Sequence, residues 1–69
     1  MNEDELNMSI RKFLKKVGIT SQREIENTIR NAIESGQLTD ESSVNLSMTL
    51  KIDHQSSDVV IDGQIKLQP

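Results

Sequence analysis

Leu6, Ile10, Phe13, Leu14 and Val17 follow one another at steps of four, three, one and three, which places all five on one stripe of a helix. The spacing predicts a first helix over residues 3–17. Asn2 stands at its start as an N-cap, with Glu5 three residues on, and Gly18 stands at its end, where a glycine can take the left-handed conformation. Ile19 would then fold back on Leu14 as the apolar partner of a Schellman-type ending. Ser21 and Glu24 have the spacing of a capping box, which predicts a second helix over residues 22–35. Ile25, Ile29, Ala32 and Ile33 form its apolar stripe, and Gly36 supplies the stop. Glu26, Arg30 and Glu34, spaced by four, can pair along its outer face.

Beyond a polar link containing Leu38 the period changes to two. Val44, Leu46, Met48, Leu50 and Ile52 alternate with Asn45, Ser47, Thr49, Lys51 and Asp53, and Val59, Ile61, Gly63, Ile65 and Leu67 repeat the alternation. Two strands are expected, over residues 43–53 and 58–67. Joining them by a four-residue loop sets Asp53 opposite Asp58, Ile52 opposite Val59, Leu50 opposite Ile61, Met48 opposite Gly63, Leu46 opposite Ile65 and Val44 opposite Leu67, so that every apolar residue shares a face. The expected fold is α+β in the order ααββ, with two amphipathic helices packed on one face of an antiparallel hairpin. A two-stranded sheet leaves both edges open, and no proline blocks either strand, so extension by dimerisation is expected as well.

Length and composition narrow this picture. Sixty-nine residues make a single domain, 1–69, near the lower limit for a core unsupported by disulfides or metal. The absence of cysteine removes disulfides, thiolate metal sites and thiol nucleophiles, and fits a reducing, cytoplasmic setting. The longest apolar run is residues 59–61, and the opening "MNEDEL" is acidic where an export signal would be basic, so neither a membrane span nor a signal peptide is expected. Phe13 is the only aromatic residue, which leaves no stacking platform for bases and no aromatic interface anchor of the Trp or Tyr type.

Catalytic constellations are thin. His54 is the only histidine, and a Ser-His-Asp reading would have to come from "DHQSSD" alone, with Asp53, His54, Ser56, Ser57 and Asp58 on a hairpin tip. A triad needs a rigid scaffold and an oxyanion site, whereas these are ordinary turn residues. The three glycines are isolated and make no phosphate loop. No catalytic residue, metal site, cofactor or small-molecule substrate is expected.

Charge is unevenly spread around a net value of −3. Residues 1–10 carry three acids and no base, while residues 11–20 carry Arg11, Lys12, Lys15 and Lys16 with no acid. The helix dipole accounts for part of this, since acids favour the N-terminal end and bases the C-terminal end. Arg11 with Lys15, and Lys12 with Lys16, are nevertheless like charges four apart, which costs a helix a few tenths of a kcal/mol per pair. These four cations point away from the apolar stripe and are the candidate partner-binding residues, for an acidic protein. The alternative is a nucleic-acid-binding regulator using a helix-turn-helix-like segment over residues 13–30, with Arg23 and Arg30 on the reading helix. Against it, Glu24, Glu26 and Glu34 would face phosphates from the same helix. The leading expectation is a non-catalytic, cytoplasmic protein-interaction module that forms a homodimer.

The stretches "NMSIRKFLKKVG" and "TSQREIE" are similar to those of a bacterial family of short proteins, about 70 residues long, catalogued only as a domain of unknown function. The similarity lies mainly in residues 1–36, and the hairpin half matches in pattern only. It implies a free-standing bacterial protein of about this length and carries no active site, ligand or partner onto particular residues.

Overall fold

The structure is a computed structural model that describes residues 1–40 and 42–69, and it divides into two compact units, Met1–Gln37 and Leu38–Pro69. The first unit is one helix, α1, Glu3–Glu34. Asn2 caps it as expected: its backbone is extended and its Oδ1 accepts from the Glu5 N–H at 3.1 Å. Glu3, Asp4 and Glu5 occupy the first turn, where carboxylates meet the positive end of the helix dipole.

The expected break at residues 18–21 does not occur. Helix continues through Gly18, Ile19, Thr20 and Ser21, so the order is αββ, not ααββ, and neither the Schellman ending at Gly18 nor the capping box at Ser21 forms. A glycine inside a helix costs about 1 kcal/mol relative to alanine. A break costs more, because it strands up to four carbonyls and four N–H groups, of which a capping box satisfies only some.

Continuity also aligns the two apolar stripes. Leu6, Ile10, Leu14, Val17, Ser21, Ile25, Thr28 and Ala32 follow at steps of four, four and three, repeated. This eleven-residue period, at 3.67 residues per turn, lies close to the helix's own 3.6, so the stripe runs nearly along the axis.

The helix stops where glycine is used for its backbone. Gly36 has φ +83, its N–H donates to the Ile33 carbonyl at 3.1 Å, and the Gln37 N–H donates to the Ala32 carbonyl at 2.9 Å. Together these are the two bonds of a Schellman ending.

The second unit is an antiparallel hairpin of β1, Ser43–Leu50, and β2, Val59–Lys66. Both strands are shorter than expected, and the register is offset by two. Leu50 pairs with Val59, Met48 with Ile61, Leu46 with Gly63 and Val44 with Ile65. An offset of two preserves the face of every side chain, so the apolar residues of the ladder still lie together. The observed register keeps Asp53 and Asp58 from standing opposite each other, where like charges would repel. It also pairs Asn45 with Gln64, whose Nε2 donates to the Asn45 Oδ1 at 3.1 Å.

The connection therefore spans residues 51–58. It contains a turn in which the Gln55 N–H donates to the Ile52 carbonyl at 3.2 Å, with His54 at φ 75, a position usually given to glycine or asparagine. Lys51 Nζ approaches Asp58 Oδ2 at 3.8 Å across the base of this loop. Ile52 and Leu67, expected in the strands, lie just outside them.

No described residue is buried. On α1, Leu6 is 40% exposed, Ile10 48%, Phe13 56% and Leu14 55%, while Val17, Ser21, Ile25, Ile29 and Ala32 are half-buried. Side chains of this size each gain about 1.5–3 kcal/mol on full burial. The described residues leave most of that unrealised.

Candidate cationic helix face

Arg11, Lys12, Lys15 and Lys16 all lie on α1 and are exposed. Because the helix does not break, Arg23 joins them on the same rod. Residues 11–23 then hold five cations and no acid, spread over about 18 Å at 1.5 Å per residue. By the hundred-degree step Lys12, Lys16 and Arg23 lie opposite the apolar stripe, with Arg11 and Lys15 to one side. None of the five forms an ion pair with a described residue. A shallow, open depression beside them is lined by Glu5, Met8, Ser9, Arg11, Lys12 and Lys15, with Met8 well exposed.

Arg30 differs. Its Nη1 lies 3.6 Å from Glu26 Oε2, and Glu26 also accepts from Gln22 Nε2 at 3.2 Å, so the four-residue pairing expected on the outer face is present at that step. The charge of Arg30 is thus partly matched within its own helix, whereas that of residues 11–23 is not.

The helix-turn-helix-like reading of residues 13–30 is corrected by the same continuity. Arg23 and Arg30 stand on the second half of one rod, not on a reading helix set at an angle to another. The sequence signal that would have favoured continuity was the eleven-residue spacing from Leu6 to Ala32, which passes through Gly18 without interruption.

The residues of "DHQSSD" fall in the 51–58 connection and its turn. Among the described residues no group of three or more His, Cys, Asp or Glu is placed to hold a metal ion. No helix among them is long and apolar enough to cross a membrane.

Residues 1–68 match the model of the family described as "Family of unknown function (DUF6494)", and the chain belongs to that family. The match extends beyond the helical half through the hairpin. No curated protein and no solved structure matches the chain.

Proposed function

We propose that this protein is a small, non-catalytic, cytoplasmic interaction module that self-associates and offers the cationic face of α1 to an acidic protein partner. One observation carries the reading: five cations on residues 11–23, exposed and without ion-pair partners among the described residues, on a helix whose other acids and bases are grouped elsewhere. Like charges at four-residue spacing cost the isolated helix stability, and an acidic surface opposite them offsets that cost. Self-association is supported by the exposed apolar stripe and by the open edges of a two-stranded sheet.

Fluorescence anisotropy with a labelled Glu- and Asp-rich peptide tests the binding role. The wild-type chain binds at physiological salt, and the triple variant Lys12→Ala, Lys15→Ala, Lys16→Ala binds about tenfold or more weakly while keeping its helical circular dichroism. Duplex DNA serves as the control. Binding to it falls steeply with salt and shows no sequence preference. A sequence-selective DNA complex at physiological salt, lost in Arg23→Ala, would replace this reading with that of a nucleic-acid-binding regulator.

A further inference from the structure

The two edges of the hairpin are not alike. β1, Ser43–Leu50, contains no charged residue and no proline, whereas β2, Val59–Lys66, carries Asp62, Lys66 and Gly63. Charges at an edge discourage further pairing and a glycine weakens a strand, so β2 is guarded and β1 is not. The ladder also fixes which backbone groups β1 turns outward. The Leu67 N–H donates to the Ser42 carbonyl at 3.4 Å, in line with the pairs Ser43 with Lys66 and Val44 with Ile65. Bonded and non-bonded pairs alternate along an antiparallel ladder, so Val44, Leu46, Met48 and Leu50 bond to β2, while Ser43, Asn45, Ser47 and Thr49 direct their N–H and C=O to the outer edge.

That outer edge of β1 matches itself. A twofold axis perpendicular to the sheet brings β1 antiparallel against β1 of a second copy and keeps both apolar faces on the same side, whereas a twofold along the strands pairs them in parallel and turns one face over. With Ser47 on the axis, Val44 stands opposite Leu50 and Leu46 opposite Met48 on one face, and Asn45 stands opposite Thr49 on the other. Every apolar residue of β1 then meets an apolar residue of β1. Moving the axis to Leu46 sets Leu50 against Ser42, whose Oγ already accepts from the Thr39 N–H at 3.0 Å, and moving it to Met48 sends Val44 past the strand to Ile52. Asn45, Ser47 and Thr49 are residues with outward backbone groups, so the Ser47 register also gives about six main-chain bonds. The β2 edge, paired about its middle in the same way, sets Asp62 against Asp62 or Gly63 against Gly63.

We infer that the outer edge of β1 binds the outer edge of β1 in a second copy, antiparallel about Ser47, to make a four-stranded sheet in the order β2-β1-β1-β2. Two strands alone are marginal in water, and three or more with an apolar face are the usual minimum for a stable sheet. The pairing uses both unguarded edges and leaves only the β2 edges outside, so assembly stops at two copies. This rests on the self-association proposed above and adds its surface, direction and register.

Because the chain contains no cysteine, single introduced cysteines report the pairing without background. Opposed Cα atoms in a hydrogen-bonded antiparallel pair lie about 5.5 Å apart, within reach of a disulfide. Under mild oxidation at tens of micromolar, the full-length Ser47→Cys chain gives a covalent dimer. Asn45→Cys and Thr49→Cys each give none alone, since like positions then stand about 13 Å apart along the strand, and the two form a mixed dimer when combined. Ser47→Pro removes an N–H that faces outward, so the hairpin keeps its own ladder while the dimer dissociation constant, read by sedimentation equilibrium, rises about tenfold or more. A mixed dimer of Asn45→Cys with Ser47→Cys in place of this pattern would overturn the register. A dimeric mass with no cross-link at any of the three positions, or an unchanged dimer in Ser47→Pro, would overturn the β1 edge while leaving self-association intact. A monomer mass for the wild-type chain up to hundreds of micromolar would overturn both this inference and the self-association beneath it.

Discussion

Gly18 and Gly36 are each preceded within four residues by an isoleucine, leucine or valine of an apolar stripe, yet one lies inside a helix and the other ends it. The difference lies on the C-terminal side of each glycine. After Gly18 the stripe continues on schedule at Ser21, Ile25, Thr28 and Ala32. After Gly36 the same steps reach Thr39, Ser43 and Ser47, with no apolar residue at any of them to match Ile25 and Ala32, and the backbone turns into positive φ at Gly36. Glycine permits a stop, and loss of the stripe decides that it is used.

Gln22→Pro has the largest expected effect on this contrast. In a continuous helix the proline removes an i→i−4 bond and clashes with the preceding turn, for a loss of about 3 kcal/mol or more in urea unfolding at fixed protein concentration. Were Ser21 an N-cap, residue 22 would be the first helical position, where proline is favoured. Gln22→Ala controls for loss of the Glu26 contact.

The two glycines separate next. Gly36→Ala forces a Cβ into the left-handed region and costs roughly 1–2 kcal/mol. Gly18→Ala gains about 1 kcal/mol of helix propensity. Thermal unfolding followed by circular dichroism shows the two substitutions moving in opposite directions.

Two further substitutions have smaller effects. Asp58→Asn removes the partner of Lys51 from a loop where the two side chains are 50% and 78% exposed, respectively, and lowers hairpin stability by roughly 0.2–1 kcal/mol, less at high salt. Ser21→Ala changes stability least, by no more than a few tenths of a kcal/mol. Loss of a true N-cap would instead cost roughly 0.5–2 kcal/mol.

The hairpin was more legible than the helix. Alternation from Val44 to Leu50 and from Val59 to Ile65 identifies the strands and the shared face, because a slip of one residue would invert every side chain. A slip of two inverts none, so the register turned instead on the Asp53 and Asp58 carboxylates and on the Asn45–Gln64 amide pair. On α1 the N-cap at Asn2 and the stop at Gly36 were readable from local chemistry. Gly18 and the Ser21–Glu24 spacing were equally good local signals and were overridden by the stripe running across them. The candidate cations were readable one by one, but the place of Arg23 among them depends on the uninterrupted helix.

Continuity of α1 through Gly18 is tested most directly by the backbone chemical-shift profile of residues 17–23 in solution. An unbroken helix gives Cα shifts that remain helical through Gly18, Ile19, Thr20 and Ser21, with contacts between residues three apart across the same stretch. Coil-like shifts at Gly18 to Thr20 followed by a fresh helical start at Gln22 would contradict it.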